Sequence, residues 1–275
     1  AHAAGKDVVC EKPLVRSLEE ANALIDSVKK TGRGVFPVFQ YRFGHAMRQL
    51  RALIDAGLAG KAFVASSEVH WNRGASYYDI PWRGTWKGEC GGAILGHAIH
   101  AHDLLCHVLG PVDEVFAMAD TRVNKIETED CAALSFRMKS GALATSSVTL
   151  GAAEDTSRLR FCFEGFTAES GTLPYRPAED TWRFIARAPT TQDQIDAVLA
   201  TVADGENGFA GFVEAIADAM EGRGGKEVTV NDGLQSIELV TAIYRSVREG
   251  KPVRLSDAAE GEWIKGWAPR TSANA

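Results

Sequence analysis

Within its first forty residues the chain reads strand, helix, strand, and no other feature constrains the fold as much. Val8-Val9-Cys10 is a short apolar run. Ser17 and Glu20 have capping-box spacing, in which the serine side chain accepts the N–H of the third helical residue. Leu18, Ala21, Leu24, Ile25 and Val28 recur on one face of a helix that Gly32 and Gly34 stop. Val35-Phe36-Pro37-Val38-Phe39 is a second apolar run. Strands joined through a helix run parallel, and a parallel sheet needs helices over its faces. One βαβ unit cannot meet that need, so it implies a larger sheet. Ahead of it, Ala1-His2-Ala3-Ala4 closed by Gly5 reads as the end of a helix.

Beyond that unit the pattern changes. Residues 43–56 read as an amphipathic helix (Met47, Leu50, Leu53, Ile54), and residues 62–71 alternate as a strand does. A loop rich in Trp, Tyr, Arg and Gly spans 72–90, and 91–109 is helical, ending at Gly110-Pro111. Strands are expected at 114–123, 130–138, 142–150, 158–164 and 181–187, with Lys139-Ser140-Gly141 as a hairpin turn. Helices follow at 209–220 and 232–247, then a last strand at 253–255 and a frayed tail at 271–275. The order implies an α/β portion, residues 1–45, followed by an antiparallel α+β portion, residues 46–275.

Composition removes several classes of function. Thirty Lys and Arg against 36 Asp and Glu give a formal net charge of −6, without the basic stripe of a nucleic-acid binder. No apolar run approaches the ~18–20 residues of a membrane span, and no basic-then-apolar leader is visible. Five cysteines, an odd number with no CxxC pair, read as small buried hydrophobes of a reducing compartment, hence a cytoplasmic protein.

Three clusters could carry chemistry. Glu11-Lys12-Pro13 follows the first strand, at the carboxyl end where α/β sheets place ligands; the alternative is a solvated loop lysine. Four of the seven histidines (His97, His100, His102, His107) fall between Gly91-Gly92 and the end of one helix. On a regular helix His97, His100, Asp103 and His107 share a face and His102 points elsewhere. His97, His100 and Asp103 could be metal ligands, one histidine could be a general acid–base, or all could be structural. Trp71, Arg73, Tyr77, Tyr78, Trp82, Arg83 and Trp86 would suit a sugar or a nicotinamide ring, or simply pin a loop to the sheet.

Together these motifs resemble the glucose–fructose oxidoreductase/inositol dehydrogenase (MocA-type) family. The matching residues are Glu11-Lys12-Pro13-Leu14, Tyr41-Arg42-Phe43, Gly57-Leu58-Ala59-Gly60-Lys61, Gly91-Gly92 with His100 and Asp103, and Gly233 with Ala242-Ile243-Tyr244-Arg245-Ser246 and Gly250. The resemblance implies a Rossmann domain binding NAD or NADP, then an α+β domain with a large open antiparallel sheet. It implies hydride transfer between nicotinamide and a sugar, polyol or related hydroxy compound. It makes Lys12 the lysine that orients the substrate hydroxyl, next to a cis Lys12–Pro13 peptide, and His100 the acid–base. Glu11, Lys12, Pro13, Arg42, Trp82 and Arg83 become cofactor contacts; Lys12, His100 and Asp103 become substrate contacts, to which placement alone adds Tyr78, Trp86 and His97. A homodimer or tetramer is implied as well.

Two departures from the family stand out. Gly96 occupies the position, four residues before His100, where the family often has Asp. No GxGxxG occurs in the 275 residues. The phosphate-binding half of the sheet, roughly 70–90 residues, is therefore expected ahead of Ala1, and weak dinucleotide affinity from these residues alone. Two other readings stay open: a non-catalytic scaffold built on the same sheet, and a metal-dependent enzyme using His97, His100 and Asp103.

Overall fold

The computed structural model describes residues 1–269; the tail at 271–275 lies outside them. Strand β1 (Val8–Cys10) pairs in parallel with β2 (Val35–Pro37), Val8 opposite Val35. Helix α1 (Leu18–Thr31) connects them, and the Ser17 hydroxyl accepts the Glu20 N–H at 3.1 Å. Glu20 returns to the N–H of Arg16, one residue before the position a capping box uses. Helix α2 (His45–Asp55) buries Met47, Leu50 and Leu53.

Strand β3 (Ala62–Asn72) opens an eight-stranded sheet. The loop after it carries a single turn, α3 (Trp86–Glu89). A π-turn, Ile94–Ala98, leads into α4 (Ile99–Leu109). Then come β4 (Val112–Asp120), β5 (Cys131–Met138), β6 (Leu143–Thr149), β7 (Gly151–Phe163), β8 (Phe166–Glu169) and β9 (Arg183–Ala186). Helices α5 (Gln192–Leu199), α6 (Gly208–Met220) and α7 (Val230–Glu249) precede the short edge strand β10 (Val253–Arg254).

The strand order is β10-β4-β5-β6-β3-β7-β8-β9. The sheet is therefore mixed, which corrects the antiparallel expectation: β3 lies parallel to β6 and antiparallel to β7. Strands β6 and β7 are consecutive in sequence, yet β3 sits between them. The link at Leu150 crosses the end of β3, where its carbonyl accepts the Arg73 N–H at 2.8 Å. A one-residue link normally signals adjacent strands, so sequence spacing could not show the insertion.

Alternation sorts each strand into two faces. On β5, Ala132, Leu134, Phe136 and Met138 are buried, while Ala133, Ser135 and Arg137 point out. Helices α4 and α7 cover the inner face, against β3 and β4 respectively. On the outer side Met118, Leu143 and Ile185 remain exposed. Phe36 and Phe39 from the first portion belong to the same buried cluster as Phe136, Phe161 and Phe166 from the sheet. Strand β8 and helix α5 escape a sequence reading because both are short. Helix α5 is mostly polar, with Ile195 its single buried residue, and is defined chiefly by the Thr191–Gln194 capping box. Among the described residues no helix is long and apolar enough to cross a membrane.

Candidate active site

The site forms where the end of β1 meets the π-turn. The Lys12–Pro13 peptide is cis, and Lys12 Nζ donates to the Gly96 carbonyl oxygen at 2.6 Å. Burial pulls the Lys12 amine below its ordinary range, opposed by the carboxylates of Glu11 and Glu89. Gly96 thus meets the lysine through its backbone, and a Cβ built on it touches nothing within 4 Å. The position where the family often has Asp therefore opens on free space.

His100 is buried beneath aromatic rings. It stacks on Tyr41 with centroids 4.4 Å apart and meets the edge of Phe39 at 5.9 Å. Its Nδ1 has no hydrogen-bond partner. Burial, reinforced by Lys12, holds the imidazole well below its usual pKa, so it is neutral near pH 7. His97 packs edge-on to Trp71 at 5.2 Å and lies 6.1 Å from Tyr77. Burial, then the charges of Lys12, Arg73 and Arg83, push it down to about 3, with Asp155 opposing.

Glycines at 91 and 92 are demanded by packing. A Cβ on Gly92 would stand 1.8 Å from the Glu129 carbonyl oxygen, and one on Gly91 2.4 Å from the Tyr244 hydroxyl. Glu129 reaches under this turn: its carboxylate accepts the N–H of Gly92 at 3.1 Å, the N–H of Ile94 at 3.0 Å and the Tyr244 hydroxyl at 2.9 Å. Burial nevertheless pushes its carboxyl up to about 7. Glu129 and Tyr244 thus fix the start of the segment that carries both histidines.

The loop after β3 is pinned by Arg73. Its guanidinium bonds Asp155 at 3.0 Å and the Tyr175 hydroxyl at 2.5 Å, and lies over Trp71, Tyr77 and Tyr175 at 5.1–5.7 Å from their centroids. Tyr41 and Tyr175 also line a cavity of about 220 Å³ together with Gln40, Phe43, Glu179 and Phe209. Neither Asp155 nor Tyr175 is visible as a site residue in the sequence. Their link to Arg73 spans 82 and 102 positions. The only local hint is the Pro174-Tyr175-Arg176-Pro177 run, which sets Tyr175 at φ 63°.

Other residues expected at the site have different neighbours. Arg42 bonds both oxygens of Asp103, at 2.8 and 2.6 Å, and Asp232 at 2.8 Å. Arg42 and Asp103 therefore satisfy each other in a buried ion triad. His102 bonds Ser146 at 3.0 Å, away from His100, and His107 is exposed. With Asp103 committed to Arg42, the metal reading loses a ligand, and no group of three potential ligands gathers among the described residues. Trp86 donates to the Glu127 carbonyl and packs on Tyr244, and Tyr78 lies edge-on to Tyr77. Glu11 and Trp82 are exposed, and Arg83 lies over Tyr77.

Two family models match the chain: "Oxidoreductase family, NAD-binding Rossmann fold" over residues 1–39 and "GFO/IDH/MocA C-terminal domain" over residues 47–169. The 1,5-anhydro-D-fructose reductase of Ensifer adhaerens is 26% identical over 268 residues, 92% of this chain and 73% of that protein. The myo-inositol 2-dehydrogenase of Thermotoga maritima is 32% identical over 145 residues, 51% of this chain and 41% of that protein. Among solved structures, the WlbA dehydrogenase of Bordetella pertussis in complex with NADH and UDP-GlcNAcA superimposes with a TM-score of 0.77 at 28% identity. That match covers 92% of this chain and 73% of the other.

Proposed function

Because this chain belongs to the GFO/IDH/MocA family of NAD-binding oxidoreductases, we propose that it holds the reacting end of a site for hydride transfer between nicotinamide and a hydroxyl-bearing carbon of a sugar, polyol or related compound. The relatives named above support that substrate class. The observation that carries it is Lys12 Nζ, 2.6 Å from the Gly96 carbonyl, beside a buried and neutral His100.

The residues present fit the nicotinamide end of such a cofactor. Lys12 stands at the carboxyl end of a parallel strand, where α/β sheets bind ligands. The neutral His100 imidazole is held in place by Tyr41 and Phe39, and the exposed Trp82 offers a free aromatic face of the kind a nicotinamide ring stacks on. Lys12, Pro13 and the exposed Trp82 would hold the ring end; no pyrophosphate contact is assigned, since the described residues include no glycine-rich strand-to-helix turn. When bound, the nicotinamide accepts or returns the hydride.

An ammonium has three N–H donors, and Lys12 spends one on Gly96, leaving two for the substrate oxygen. Those donors stabilise negative charge as the hydroxyl proton leaves. His100 takes that proton. Its Nδ1 is sealed inside the protein, so exchange runs through Nε2. Burial of both groups keeps bulk water from competing for the substrate oxygen.

Changing Lys12→Met in the full-length protein tests the assignment. Removing an oxyanion donor is expected to lower kcat by about 10²–10³-fold with thermal stability retained. Near-wild-type turnover refutes it. The exposed apolar residues of the outer sheet face support a homo-oligomer, and five free cysteines support a reducing, cytoplasmic setting.

A further inference from the structure

The His97 side of the site is more basic than chemistry on a neutral alcohol requires. Three cations act on His97, namely Lys12, Arg73 and Arg83. Lys12 is held by the Gly96 carbonyl, and Arg73 by Asp155 and Tyr175. The nearby carboxylates are also engaged: Asp155 by Arg73, and Glu89 by the N–H of Gly84.

Arg83 differs from the other two. No carboxylate lies within ion-pair distance of it among the described residues, and its Nε is sealed from solvent without an acceptor. Its guanidinium carbon sits 3.8 Å from the Tyr77 ring centroid and 5.3 Å from that of Trp82. Stacking on an aromatic face fixes the guanidinium plane, and with Nε sealed the edge left for a ligand is the one carrying the two terminal NH2 groups. A planar fork held this way matches a carboxylate with two parallel hydrogen bonds. Tyr77, beneath it, is also the ring nearest His97 on the loop side, so this cation stands on the His97 side of the site.

We infer that the hydroxy substrate bears a carboxylate, received by Arg83, and that Arg83 selects sugar acids over neutral sugars. The inference rests on the hydride-transfer reading and moves Arg83 from the cofactor to the substrate. Dinucleotide phosphates are also anions, so the test must separate the two sources.

The experiment uses the full-length protein as wild type, Arg83→Gln and Arg83→Lys. The probes are matched pairs: D-glucuronate with D-glucose, and D-galacturonate with D-galactose. Calorimetric binding and initial rates are both recorded, and NADH and NADPH affinities are measured by nucleotide fluorescence. The wild type should favour the acid of at least one pair. Arg83→Gln should lower that acid-to-neutral ratio by about 10–100-fold, through binding and KM, the range of a hydrogen bond to a charged group. Arg83→Lys should keep part of the preference, and the NADH and NADPH affinities should not move. If the wild type favours no acid, or if Arg83→Gln weakens dinucleotide binding and both sugars alike, the inference is overturned. Selective acid binding lost in Arg83→Gln without any turnover would uphold the carboxylate site and count against hydride transfer instead.

Discussion

Arg42 offers the sharpest test of how the site is held together. Its side chain is 10% exposed, that of Asp103 is 3% and that of Asp232 is 25%. Changing Arg42→Met keeps most of the volume but leaves Asp103 as a buried carboxylate without its two charge-assisted bonds. Removing one partner of a buried ion pair costs about 3–5 kcal/mol, because the other charge stays desolvated. Asp232 contributes less to that cost, being partly solvated and still bonded to Thr229 at the start of α7. In a chain of this size each kcal/mol shifts Tm by roughly 2–4 °C, so a fall of about 6–20 °C is expected in calorimetry. A second variant separates burial from charge. Replacing both partners, Arg42→Met with Asp103→Leu, should recover most of the loss, since apolar substitutes for a buried pair are often neutral or better. pH adds a further check. Burial already raises the Asp103 carboxyl, with Arg42 opposing; without Arg42 it rises further. A carboxyl raised in the folded state costs stability above that pKa and regains it as pH falls through it, so the deficit of Arg42→Met should shrink from pH 8 to pH 5. A loss below about 1 kcal/mol, or a double variant as unstable as the single one, would refute the view that desolvation governs this triad.

Two more outcomes follow. His97 is held at about 3, His102 at about 4 and His100 well below its usual value, so all three are neutral when folded, whereas the unfolded chain protonates them below about pH 6.5. Their stabilisation is complete above that pH and is lost as pH falls. Glu129, raised to about 7, offsets one of those protons, because the native state binds it where the unfolded chain does not. The three histidines outnumber Glu129, so stability is expected to fall between pH 6 and 5, read from urea unfolding; a flat profile would contradict the buried-histidine picture. Gly92→Ala, with its Cβ 1.8 Å from a backbone oxygen, should destabilise by at least about 1–3 kcal/mol and lower turnover, whereas Gly96→Ala should fold as the wild type does. Equal effects in thermal unfolding would show that the turn tolerates a methyl group.

What the sequence revealed follows the range of the interactions involved. The βαβ unit is local, its cap and helix face lying within fifteen residues, and it was legible. The alternation of residues 62–71 was legible and corresponds to β3. Lys12 and His100 were legible through motif resemblance. The insertion of β3 was not, since strand order depends on pairing across more than seventy residues. Nor could the π-turn be seen, because its apolar residues fit a regular helix equally well. That turn takes His97 out of the regular helix that carries His100, Asp103 and His107, and no group of three potential metal ligands gathers among the described residues. Arg42 and Asp103 look like ligand contacts in sequence because a charged side chain near a strand end reads alike whether it meets a ligand or a partner 61 residues away.

The same distances explain why the site needs both portions of the chain. Lys12 comes from the end of a two-stranded parallel sheet, and His100 from a segment packed on the eight-stranded one. The Lys12–Gly96 bond ties the lysine to the turn that leads into His100, and Arg42 with Asp103 clamps the following helix one turn beyond His100. Burial and the lysine charge depress the imidazole's affinity for protons, which favours a neutral base near a cation that Glu11 and Glu89 help keep charged. On the proposed reading, a proton leaves the substrate for His100 while the oxygen it leaves behind rests on Lys12. Neither group could do both, because a protonated histidine cannot accept and a neutral lysine cannot offset the charge. On that reading, holding both groups in place and out of water is what the fold contributes to the chemistry.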